Sequence, residues 1–134
     1  MTVQRSETMS IKTAADVVLV RQAVRKLAVE QGLSLVDQTK IVTAASELAR
    51  NTLDYGGGGQ LQLETLQEGN RRGVRLTFED KGPGIPDIDL ALKDGFTTGG
   101  GLGMGLSGSK RLVNEFNIVS RVGEGTTITI AKWK

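Results

Sequence analysis

The chain has 134 residues, 38% of them hydrophobic, enough to bury one core and too few for two, so residues 1–134 are expected to form a single domain. Lys and Arg number 17 against 15 Asp and Glu, a formal +2 with no like-charge run longer than a pair, which argues against a nucleic-acid or membrane-surface binder. Neither cysteine nor histidine occurs, which excludes disulfides, thiolate or imidazole metal sites, cysteine nucleophiles and a phospho-accepting histidine within the chain; carboxylates, amides, hydroxyls and bound ions must carry any chemistry.

The first ten residues are polar and lack an apolar core segment, and no stretch approaches the ~20 apolar residues of a membrane span, so a soluble cytoplasmic protein is expected. Residues 2–11 leave room for a leading strand. From Ala14 to Gln31 the apolar residues Val17, Val20, Val24, Leu27 and Ala28 recur at helical spacing, with Thr13 and Asp16 placed for a capping box and Gly32 just past the end. Ser34 and Asp37 mark a second helix, whose stripe Ile41, Ala44, Ala45, Leu48 and Ala49 stops at Gly56–Gly59. Leu61 and Leu63, then Val74, Leu76 and Phe78, alternate as two strands joined by a polar loop from Gln67 to Gly73, and the second strand runs directly into Asp80. A third helix is expected over Leu106–Phe116, and Asn117–Arg121 with Thr126–Trp133 read as a closing hairpin turned at Val122–Gly125. This order predicts an α+β fold, a two-layer sandwich with helices on one face of a mixed, mostly antiparallel sheet.

Four constellations could carry chemistry. Glu47 and Asn51 stand at i and i+4 on one face of the second helix, with Cβ atoms about 6 Å apart; a carboxylate there can take a proton, and an amide oxygen is a hard ligand suited to Mg2+. Asp80-Lys81-Gly82-Pro83-Gly84 follows a strand without a break, so a fixed carboxylate at the strand end could accept from an exocyclic amino group such as that of adenine. Thr97 to Leu106 holds five glycines in seven residues just before a helical pattern, a place for phosphates on successive backbone N–H groups, with Lys110 or Arg111 adding positive field. A Walker A loop is absent, and Gly103-x-Gly105-x-x-Gly108 is not preceded by the strand that a dinucleotide fingerprint needs. Gly123-Glu124-Gly125-Thr126-Thr127 is a hairpin turn whose Thr126 hydroxyl could serve the same purine as Asp80.

In order, Glu47 and Asn51, Asp80-x-Gly82-x-Gly84, Gly101-x-Gly103-x-Gly105-Leu106 and Gly123-x-Gly125-Thr126 resemble the N, G1, G2 and G3 boxes of the GHKL ATPase/kinase superfamily. The resemblance implies an α/β sandwich with ATP held between the helix layer and a lid over about residues 86–100. It implies Asn51 as the Mg2+ ligand, Glu47 as the general base and Asp80 as the adenine reader. Gly82 and Gly84 would accompany Asp80, Gly101, Leu102, Gly103, Met104, Gly105 and Leu106 would form the phosphate loop, and Thr126 would assist the adenine. Ser46–Asn51, Glu79–Ile88, Asp94–Thr98, Lys110–Phe116 and the terminal Lys132-Trp133-Lys134 further resemble the small stand-alone serine/threonine kinases of bacterial partner-switching (stressosome) pathways. Such a kinase would phosphorylate a STAS-domain scaffold or antagonist and, once released, activate a PP2C-type phosphatase. The related anti-sigma kinases usually carry a histidine shortly after the N-box asparagine, where this chain has Leu53-Asp54-Tyr55; a nucleotide-gated anti-sigma factor or a binding-only switch module is the alternative.

Overall fold

A computed structural model describes residues 1–93 and 105–134. The elements run β1 (Thr2–Ile11), α1 (Ala14–Glu30), α2 (Leu35–Asp54), β2 (Gly59–Glu68), β3 (Arg71–Asp80), α3 (Ile88–Ala91), α4 (Gly105–Arg111), β4 (Glu115–Arg121) and β5 (Gly125–Trp133). The strands form one sheet in the order β1-β2-β3-β5-β4, and every described pairing is antiparallel.

The helix ends sit where the capping chemistry puts them. Thr13 Oγ1 accepts from Asp16 N–H, and Asp16 Oδ2 accepts from the N–H groups of Thr13 and Lys12, so two orphan donors of the first turn are satisfied reciprocally. The Lys12 N–H is the largest cause that holds the Asp16 carboxyl below its ordinary value. At the far end of α1, Gly32 takes φ 78°, its N–H reaches Val29 O, and Leu33 N–H reaches Ala28 O, a Schellman stop that a residue with a side chain would adopt at a cost.

The apolar stripes of both helices face the sheet. Val20, Val24, Ile41, Ala44, Ala45 and Leu48 pack on Leu61, Leu63, Val74, Leu76, Phe78 and Ile130, all essentially without solvent exposure. The alternation in β2, β3 and β5 therefore has a cause: one face of each strand lies under the helices, while the other presents Gln62, Thr77 and Thr129 in a row across the sheet. No described helix is long and apolar enough to cross a membrane.

Two expected boundaries move. The loop from Gln67 to Gly73 contracts to Gly69-Asn70, because Glu68 pairs with Arg71 and Gln67 with Arg72, continuing the ladder to the tip. The third helix ends at Arg111 instead of Phe116: Leu112 N–H closes on Ser109 O, Asn114 N–H donates to Ala131 O, and Glu115 and Phe116 pair with Ala131 and Ile130. Phe116 shares helical spacing with Leu106 and Val113, but its apolar ring serves the sheet face equally well, and the ladder to β5 satisfies backbone groups that a last helical turn leaves open.

Candidate functional site

Asp80 is the last residue of β3, and the register sets Gly59 of β2 opposite it on one side and Thr126 of β5 on the other. Its Oδ1 accepts the N–H of Gly82 at 2.9 Å, which turns the chain sharply at the end of the strand. The C-terminal end of α2 packs directly against this turn. A Cβ on Gly56 would overlap the Asp80 carboxyl group, and one on Gly82 would overlap the backbone of Gly56, so both positions admit only hydrogen. Gly84 has φ 79° and lies against the carbonyl of Arg121, which draws the loop onto the β4–β5 hairpin.

A pocket opens between this turn and α2. Leu48, Phe78, Leu106 and Ile128 make its apolar floor, and Asn51, Thr52, Tyr55, Gly56, Asp80, Gly84 and Thr126 are among its other walls. A mostly apolar cleft with a few convergent polar groups is the usual form of a small-molecule site. Asp80 as acceptor beside Thr126 as hydroxyl suits the edge of an aminopurine.

Glu47 lies one helical turn before Asn51 on α2. Glu47 Oε2 and Asn51 Oδ1 are both buried and have no hydrogen-bond partner among the described residues. Unpartnered buried oxygens cost about 1–3 kcal/mol each unless a ligand satisfies them. The Asn51 amide oxygen is a hard donor that fits a Mg2+ ion keeping most of its waters and taking its remaining ligands from phosphate, and the Glu47 carboxylate one turn away can take a proton. Burial pushes the Glu47 carboxyl above its ordinary value, with the Arg50 guanidinium pulling partly the other way.

The structure thus brings Asn51, Asp80, Gly84, Leu106 and Thr126 to one pocket and sets Glu47 one turn along the same helix. Gly82 stands just behind the pocket, against Gly56. Gly105 opens α4 with φ 67° and is buried, while Gly101, Leu102, Gly103 and Met104 lie outside the described residues, as does the 94–100 part of the expected lid. Lys110 and Arg111, expected to add positive field at the start of this helix, instead fall in its last turn, because α4 ends at Arg111; there they favour the negative end of the helix dipole. Sequence reading missed Tyr55, Gly56 and Ser120. Gly56 appeared only as a helix stop, and Ser120 joins Thr126 only through the β4–β5 register.

A two-layer α+β sandwich with a largely apolar cleft at one end of its sheet can hold a flat heteroaromatic ring. Residues 36–134 match the family model for histidine kinase-, DNA gyrase B- and HSP90-like ATPases, and the chain belongs to that family. It is 50% identical over 123 residues, 92% of each chain, to serine/threonine-protein kinase RsbT of Bacillus subtilis. It is 34% identical over 106 residues to the anti-sigma F factor of Anoxybacillus flavithermus, covering 74% of this chain and 71% of that one. Among solved structures, the RsbU and RsbW domains of a Mycobacterium tuberculosis protein superpose with a TM-score of 0.65 at 23% identity, over 96% of this chain and 32% of that one. The catalytic domain of histidine kinase ThkA gives 0.52 at 17% identity, over 94% and 95%. The expected α+β fold and the relationship to a protein serine/threonine kinase are borne out by these matches.

Proposed function

We propose that residues 1–134 work as one Mg-ATP-dependent protein serine/threonine kinase of a bacterial partner-switching pathway, acting in the cytoplasm. The observation that carries this reading is the pair of buried oxygens of Glu47 and Asn51, without partners among the described residues, beside a pocket lined by Asp80 and Thr126. The 50% identity to a serine/threonine-protein kinase over 92% of the chain supports the same reaction class.

In this reading Asp80 Oδ2 accepts from the adenine amino group and Thr126 binds the ring edge, while Phe78 and Ile128 bury the base. The glycines at 101, 103 and 105 with Leu102, Met104 and Leu106 form the phosphate loop. Asn51 Oδ1 would hold Mg2+, which when bound would neutralise part of the charge of the phosphates. Glu47 takes the proton of the acceptor hydroxyl as its oxygen attacks the γ-phosphorus in line and ADP leaves; its raised pKa suits a base that must hold and release a proton. The protein's contribution is position and charge rather than covalent chemistry.

The acceptor is a serine or threonine of a STAS-domain scaffold or antagonist, and the freed kinase engages a PP2C-type phosphatase. The likeness to anti-sigma F factors favours a second reading, a switch module that binds a sigma factor or its antagonist under nucleotide control. Intact-mass analysis of a STAS-domain protein incubated with this chain and Mg-ATP separates the two. Gain of one phosphoryl group with the wild type and none with Asp80→Asn supports the kinase; ATP-dependent binding with no mass gain selects the switch module.

A further inference from the structure

The loop after β3 and the β4–β5 hairpin meet at one hydroxyl. Ser120 Oγ lies 2.8 Å from Ile85 N, 3.1 Å from Gly125 O and 2.7 Å from Thr126 Oγ1. A serine hydroxyl has one proton and accepts two hydrogen bonds. Ile85 N–H can only donate and Gly125 O can only accept, so the remaining polarity depends on where the single proton points. Directed at Gly125 O, it leaves Thr126 to donate to Ser120 and to turn only lone pairs toward the pocket. Directed at Thr126 Oγ1, it frees the Thr126 proton for a ligand.

We propose that Ser120 is a positioning residue of the nucleotide site. Its O–H rotates from Gly125 O to Thr126 Oγ1, which lets Thr126 donate to a purine ring nitrogen while Asp80 accepts from the amino group. Register supports the assignment: Asp80 is opposite Thr126, and Thr126 is opposite Ser120, so acceptor, donor and orienting hydroxyl stand in one row across β3, β5 and β4. Thr126 is buried, and its hydroxyl lies 2.7 Å from that of Ser120. A chain of hydroxyls also polarises its terminal donor, which strengthens the bond to the base. The inference rests on the nucleotide reading above and adds a residue to it.

The test is calorimetric titration of the full chain with Mg-ATP for wild type, Ser120→Ala, Ser120→Thr, Thr126→Val and the Ser120→Ala/Thr126→Val pair. One hydrogen bond's worth of orientation predicts that Ser120→Ala raises Kd about fivefold and that Ser120→Thr restores it to within about twofold. In the Thr126→Val background Ser120→Ala should change Kd by less than about twofold, because the hydroxyl it orients is gone. A Ser120→Ala penalty equal in both backgrounds, or no penalty at all, overturns the inference. Should Ser120→Ala fail to fold, Ser120→Cys, near in size and a weak donor, is read by the same criteria. A wild type that binds no ATP overturns the nucleotide reading itself, an outcome distinct from wild-type binding with an indifferent Ser120.

Discussion

The helix–sheet interface ends in two different ways. Beside the Gly69-Asn70 turn, the named polar groups are paired: Gln31 Nε2 donates to Leu66 O and Gly73 O, and Lys132 meets Asp37 at 3.5 Å. On the opposite sheet face at the same end, Arg75 grips Glu64 through Nε and Nη2, Trp133 Nε1 donates to Glu115, and the Arg71 guanidinium lies 5.0 Å from the Trp133 ring centre. At the other end, Glu47 Oε2 and Asn51 Oδ1 are buried without hydrogen-bond partners among the described residues, and glycines replace side chains around Asp80. Satisfied polar groups hold a fold; unsatisfied ones wait for a ligand. The contrast separates stability from function along one pair of layers.

Substitutions can break or sharpen that contrast. The largest expected effect is on Glu47→Gln, which should lower phosphoryl transfer by about 10²–10⁴-fold while leaving ATP affinity within a few-fold, as single-turnover assays would read. Asn51→Leu should abolish Mg2+-dependent ATP binding yet keep or raise the melting temperature, because an orphan amide gives way to an apolar side chain. If it instead unfolds the protein, the functional end is also a structural one. Asp80→Asn should weaken ATP binding by roughly ten- to a hundredfold, the loss expected for a hydrogen bond to a charged group, and Gly56→Ala should do the same more mildly by displacing the carboxylate. Conversely, Gln31→Ala should cost about 1–3 kcal/mol of stability by orphaning two carbonyls, with ATP affinity unchanged.

Two carboxyls near the Asp80 end of the sheet, those of Glu47 on α2 and Asp16 at the start of α1, respond to pH in opposite directions. The folded Glu47 pKa is raised, so the native state binds the extra proton and this group's contribution to stability falls as pH rises through the window above its ordinary value. The folded Asp16 pKa is lowered, so its capping contribution is present above the ordinary carboxylate range and is lost as pH falls through the folded value. Melting temperatures of the ligand-free Glu47→Gln and wild-type proteins should therefore diverge toward neutral pH, with the variant the more stable, and converge in acid. The acid limb of the transfer rate should vanish in Glu47→Gln.

Local rules settled much of this protein before any packing. The helical stripe Val17–Ala28, the Thr13–Asp16 box, the stop at Gly32 and the alternation of Val74, Leu76 and Phe78 each depend on neighbours a few residues away, and so they stand in the sequence. Glu47 and Asn51 were legible for the same reason, being one helical turn apart. The leading strand was only faintly marked because β1 is an edge strand, exposed over nearly all its length, and carries no alternating apolar row. Phe116 went to a strand because the ladder to β5, a contact fourteen residues away, outweighed local periodicity. Tertiary structure alone decided that α2 would end against Asp80 with no room for a Cβ at Gly56, that Ser120 would touch Thr126, and which buried oxygens would be left without partners. Those facts depend on the register of four antiparallel pairings, and register is a property of the assembled sheet, where a shift of one residue turns every side chain to the other face.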